Sequence, residues 1–258
     1  MTGAAFKVAG AICLRTWRAT ARRPVTLSFS LVQPLIWVLF FGFLFQRYDV
    51  RSLTRGGRYL DFLVPGVCAM TVLFGASQSG IGLIRDLQTG FLKRILASPA
   101  STFAVLGGKL LADVLRLLAQ ALFVLLVARA LGASVVLTPG TALQTFGFLA
   151  VFAVSHASLS CMVALWTRAQ ESMATFVHLV NMPLLFTSTA LVPVRHMPDW
   201  LASLSRGNPL TLAVDGCRSA LLRGEPFTRG SSFVVLALLG LAMFALAGAS
   251  ARRLRSMG

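Results

Sequence analysis

Apolar blocks recur along the whole chain, and most of the charge sits in the short segments between them. Six blocks, residues 26–46, 62–84, 102–128, 141–166, 173–193 and 231–251, are long enough to cross a bilayer core of about 30 Å as helices. The pattern predicts an all-α polytopic membrane protein with six transmembrane helices. No linker divides the chain, so residues 1–258 read as one membrane domain: an N-terminal segment 1–24, a six-span core 26–251 and a tail 252–258.

Two segments are neither spans nor simple loops. Wound at about 100° per residue, Lys7, Arg15, Arg18 and Arg22 share one face, while Phe6, Ala9, Ile12, Cys13 and Trp17 share the other, and Pro24 follows. This predicts an amphipathic helix lying in the membrane interface with its basic face toward headgroups. The plainer alternative is a basic tail that serves only topology. Residues 194–230, between the fifth and sixth blocks, are too apolar for a solvated loop, and the Gly207-Asn208-Pro209 breaker splits them into two short helical stretches. A re-entrant hairpin accounts for both features, with an ordinary surface hairpin as the alternative.

Composition agrees with a membrane setting. Hydrophobic residues make up 56% of the chain and charged residues 12%, where a soluble domain carries about 25%. The net charge of +16 would point to nucleic acid in a soluble protein, but here the basic residues lie between apolar blocks. Membrane lipids, not nucleic acid, are then the expected counter-charge. An even number of spans puts both termini on one side, and both tails are basic and acid-free, with Lys7 to Arg23 before the first span and Arg252, Arg253 and Arg255 after the last. That side is expected to be the cytoplasm, and the protein a multi-pass component of the cell membrane, inner or plasma. The first block lacks a small-residue cleavage site after it and is expected to remain as a span. Cys68 and Cys161 fall inside apolar blocks and Cys13 in the basic N-terminal segment, so no disulfide framework is expected.

Soluble catalytic motifs are missing from the sequence. Gly108-Lys109 has Phe103 where a phosphate-binding loop needs its first glycine. His156, His178 and His196 do not pair with Cys or carboxylates at metal-ligand spacing. Within the third block, Lys109, Asp113, Arg116 and Gln120 recur at four, three and four residues and form one stripe. The stripe reads either as part of a hydrophilic path or as Asp113 neutralising two basic chains that snorkel to the interface. A single carboxylate favours the second reading. Ser77 and Gln78, and Thr175, His178 and Asn181 ahead of Pro183, are candidate pathway-lining residues.

The order of these features resembles the ABC type-2 exporter permeases, in particular the antibiotic-resistance subfamily of daunorubicin-exporter type. The resemblance rests on YLDFLVPGVCAMTVLFGASQSGIGLIRDLQTGFLKRILASPAS from Tyr59, GGKLLADVLR from Gly107, and LVPVRHMPDWLASLSRGNPLTLAVDGCRSALLRG from Leu191. It implies a permease that is not itself an enzyme and exports an amphipathic or hydrophobic substrate (a drug, lipid or glycoconjugate). Its implied partners are a cytosolic ATP-binding subunit, which would bind ATP and Mg, and a second permease copy or paralogue. By resemblance, Arg85, Asp86, Gln88, Gly90, Phe91, Leu92, Lys93 and Arg94 form the ATPase-coupling loop, whose apolar face is expected to be an open partner surface. Lys93 stands where an acid is common in the family. Asn208, Pro209, Asp215 and Arg218 likewise mark an outer gate hairpin. An ion-coupled secondary carrier, the alternative, would want paired carboxylates in the spans, and the sequence offers Asp113 alone.

Overall fold

A computed structural model describes residues 2–21, 24–45, 58–97, 101–224 and 229–256. The described residues form helices and no strand: α1 (Thr2–Ala21), α2 (Pro24–Leu44), α3 (Tyr59–Gln88), α4 (Phe91–Ala97), α5 (Thr102–Ala130), α6 (Pro139–Thr167), α7 (Gln170–Phe186), a 3-10 turn (Val194–His196), α8 (Asp199–Gly207), α9 (Pro209–Arg223) and α10 (Gly230–Ser256). Four of them, α3, α5, α6 and α10, are long and apolar enough to cross a membrane. A helix also stands at each of the other two apolar blocks. The described apolar part of α2 runs over Ser30–Leu44, and α7 has 17 residues.

Two helices, α3 and α6, form the centre, and small polar side chains such as Ser77, Ser79 and Ser158 are buried there beside the apolar ones. Helix α3 buries Phe62, Leu63, Val64, Val67 and Leu73, while α6 buries Phe148, Leu149, Phe152 and Cys161 against α3, α9 and α10. The start of α6 is fixed locally. Thr138 and Thr141 exchange side-chain to backbone hydrogen bonds in a capping box, and Pro139 opens the helix. Helix α10 packs on α6 but leaves Val234, Leu238, Leu241 and Leu246 exposed, a surface suited to hydrocarbon rather than water. Elsewhere backbones meet directly: a methyl group on Gly108 of α5 would collide with the Ala9 carbonyl of α1.

The structure revises two boundaries. The helix expected over residues 173–193 stops at Phe186, and Thr187 to Val192 are irregular, with Ser188, Thr189 and Ala190 buried. Hydroxyls end the helix by taking its last carbonyls: Thr187 Oγ1 donates to Pro183 O (2.8 Å) and Ser188 Oγ to Leu185 O (2.7 Å). At the C-terminus, α10 continues through the expected tail as far as Ser256, and the Arg252 guanidinium carbon lies 4.5 Å from the Phe103 ring centroid. From the end of the first apolar block, residues 46–57 lie outside the described residues.

Candidate functional site

The segment singled out for coupling forms an elbow. Helix α3 ends at Gln88, Gly90 adopts the left-handed conformation (φ 71°) that a side chain would disfavour, and α4 begins at Phe91. Asp86 pairs with Arg15 of α1 (3.5 Å), and the same guanidinium lies over the Phe91 ring, 3.3 Å from its centroid. Leu92 is buried and Ile95 packs against the core. The expectation of an open apolar face on this segment is therefore corrected. Joined to α3 by so short an elbow, α4 has the bundle within reach of its apolar side and buries it there. Arg85, Gln88, Thr89 and Arg94 remain exposed, and Gln88 Oε1 accepts a hydrogen bond from Gln170 Nε2 (3.2 Å). The side chains of Lys93 and Leu96, and residues 98–100, lie outside the described set. Arg15, expected among headgroups, instead ties α1 to this elbow.

Beside the elbow lies a cavity of ≈ 770 Å³ walled by α1, α2, α3, α5 and α7. The charged stripe of α5 faces it. Asp113 lies between Lys109 Nζ (3.7 Å) and Arg116 Nη2 (3.9 Å), and Gln120 Nε2 donates to Ser30 Oγ of α2 (2.7 Å). Asp113 does offset the two cations, but neither chain snorkels: Lys109 is 7% exposed, and Arg116 Nη2 donates to the Gly75 carbonyl of α3 (3.2 Å).

Of the candidate lining residues, Gln78 and His178 face this cavity. Ser77 and Asn181 do not, since both are fully buried in a polar knot between α3, α6 and α7. There Asn181 Nδ2 donates to Ser77 Oγ (2.8 Å), and His156 Nε2 lies 3.0 Å from both Ser77 Oγ and Asn181 Oδ1. Ser160 Oγ accepts from Gly80 N (3.1 Å) and donates to Ser77 O (2.7 Å). Helical rotation explains the split. Adjacent residues point about 100° apart, and each three-residue step turns the face by about 60°, so 175, 178 and 181 fan out instead of aligning. Thr175 is exposed and donates to its own helix at Glu171 O (3.3 Å). In the sequence, His156 stands out only as a histidine without partners at metal-ligand spacing; its bonding to Ser77 and Asn181 follows from the packing of α3 and α7 on α6.

At the opposite end of the bundle the hairpin is tied down. Asn208 Oδ1 caps α9 through Leu210 N (2.8 Å), its Nδ2 donates to Leu184 O (2.7 Å), and Pro209 occupies the first turn. Arg218 pairs with Asp215 (3.3 Å), donates to Thr189 O (2.9 Å) and lies over the Phe62 ring at 3.9 Å. The irregular segment after α7 is thus held by α9. Asp61, fully buried at the start of α3, accepts from Ser134 N (2.6 Å) on the α5–α6 connection. Among the described residues, no group of three or more His, Cys, Asp or Glu is placed to hold a metal ion.

An all-helical bundle with several membrane-length helices, a short elbow helix and a cavity beside it fits a multi-pass membrane protein, and the comparisons give its family. The chain belongs to the ABC-2 type transporter family, whose model matches residues 8–222. It is 35% identical to the ycf38 protein of Cyanophora paradoxa, named a transport permease, over 76% of this chain and 68% of that one. It is 29% identical to the daunorubicin resistance ABC transporter permease protein DrrB1 of Streptomyces coeruleorubidus, covering 80% of this chain and 72% of the relative. Identity to the doxorubicin resistance permease DrrC of Mycobacterium tuberculosis is 24%, covering 79% and 73% of the two chains.

Proposed function

We propose that this chain is the membrane permease subunit of an ATP-driven exporter, with six spans, both termini in the cytoplasm, and an ATP-binding subunit docked on the α3–α4 elbow. In this reading α1 lies in the cytoplasmic interface, α8 and α9 form the hairpin of the outer gate, and a second copy or paralogue completes the pathway. The observation that carries it is the elbow itself. A short helix is braced from behind by Arg15 and Leu92 and leaves Gln88 and Arg94 outward, which is the arrangement a lever needs to pass on a partner's motion. The exposed Phe6 and Trp17 of α1 suit an interfacial position. An exporter would alternate between two access states as the ATPase dimer closes and opens. The test is co-expression with a P-loop ATPase encoded beside the permease gene. Co-purification that Arg94→Glu abolishes is expected, and unaltered binding by that variant would sink the docking site.

A further inference from the structure

We propose that the cavity between α2, α3, α5 and α7 binds an amphiphile with an anionic headgroup, the head held by Arg116, Lys109 and Arg85 and the apolar part lying along Trp37, Met70 and Val67. The proposal deepens the exporter reading by naming the chemistry of its cargo, and it rests on that reading. Its first support is the charge of the wall. Four cations, Arg15, Arg85, Lys109 and Arg116, line the cavity against two carboxylates, Asp86 and Asp113. Asp86 is taken by Arg15, and Asp113 is shared between Lys109 and Arg116, so the α5 triad keeps a net positive charge. The Arg85 side chain makes no ion pair or hydrogen bond with the described residues. Positive charge inside a helix bundle requires a counter-charge, and this wall supplies half of it. A cationic cargo would meet no free carboxylate here.

The second support is polar capacity left unused. The amides of Gln33 and Gln78 line the cavity, are exposed to it, and make no hydrogen bond to the described residues, so both have donors to offer an anion. The third is the gradient along the walls. Arg85, Asp86 and Lys109 lie toward the α4 end of the cavity, Arg116 sits level with Gly75 midway along α3, and Val67 and Met70 line α3 beyond it toward the α8 end. Eight residues of helix separate Val67 from Gly75, about 12 Å at 1.5 Å per residue, which is room for the start of a tail beyond the Arg116 guanidinium. The cavity volume of ≈ 770 Å³ lies within the range of small-molecule sites, about 300–1,000 Å³.

The test uses the purified permease in zwitterionic nanodiscs, with dioctanoyl phosphatidic acid, dioctanoyl phosphatidylcholine and inorganic phosphate as probes and tryptophan fluorescence as readout. Phosphatidic acid is expected to bind and phosphatidylcholine to bind much more weakly. Arg116→Gln should weaken phosphatidic acid by about tenfold, and the exposed Arg85→Gln by about threefold. Asp113→Asn should strengthen it, a change of opposite sign that general damage to the fold does not produce. Equal affinity for the two lipids, or weaker binding by Asp113→Asn in a monodisperse preparation, overturns the proposal. Inorganic phosphate competing as strongly as the lipid would mean a free-anion site and overturns the amphiphile assignment. Anionic binding without ATPase co-purification refutes the exporter reading and leaves the site standing, whereas co-purification without anionic binding does the reverse.

Discussion

Arg15 of α1 stacks its guanidinium on the ring of Phe91, the first residue of α4, at 3.3 Å from the centroid. With the Arg15–Asp86 pair at 3.5 Å, this contact ties the N-terminal helix to both sides of the Gly90 elbow. A push on α4 is therefore also a push on α1, and through the Ala9–Gly108 contact on α5. The charged cavity is walled by α1 and α5 together with α2, α3 and α7.

The Arg15–Phe91 contact is expected to be modest in stability and larger in function. Both partners are partly exposed, which keeps a cation–π contact near about 0.5–1 kcal/mol. A double-mutant cycle of Arg15→Ala and Phe91→Ala, followed by thermal unfolding in detergent, should return a coupling energy of that size. Substrate-stimulated ATP hydrolysis of the reconstituted complex should fall in each single variant while ATPase co-purification persists. Additive singles would show that the contact transmits nothing.

The elbow divides into an outer surface and an inner support. Arg94→Glu and Gln88→Ala change exposed side chains, so permease stability should stay within about 0.5 kcal/mol while ATPase binding drops. Leu92→Ala removes a buried side chain and should cost about 2–3 kcal/mol. Unfolding midpoints beside pull-down yields separate the two classes, and equal stability losses in both would contradict the division.

In the Ser77–His156–Asn181 knot each member satisfies the others in a fully buried site. Asn181→Ala should take one buried hydrogen-bond partner from each of Ser77 and His156, leaving them each other, and destabilise the permease by about 1–3 kcal/mol, read as a lower unfolding midpoint. Thr175→Ala, six residues away on the same helix but exposed, should be neutral. An unchanged midpoint for Asn181→Ala would refute the knot.

Reporter fusions test the proposed orientation. A reporter after residue 55 and one after Gly258 should report opposite sides of the membrane, with the C-terminal one in the cytoplasm. The same side for both contradicts six spans.

The sequence by itself determined what depends on local pattern. Apolar run length located the long helices, because a chain in hydrocarbon must satisfy its backbone within each segment. Gly207-Asn208-Pro209 marked the break between α8 and α9, because glycine and proline act on their own residues' dihedrals. The periodicity of α5 placed Lys109, Asp113, Arg116 and Gln120 on one stripe. What that stripe faces was not legible. Snorkelling and lining a cavity use the same spacing, and only the positions of α2 and α3 across from α5 distinguish them. Neighbouring Ser77 and Gln78 met opposite fates for the same reason: one faces α6 and α7 and the other the cavity, which depends on where other helices pack. Tertiary structure also decided Arg15 and Phe91. Their residue types suit lipid headgroups and a partner surface equally well, and it is the docking of α1 against α3 and α4 that turns them toward each other.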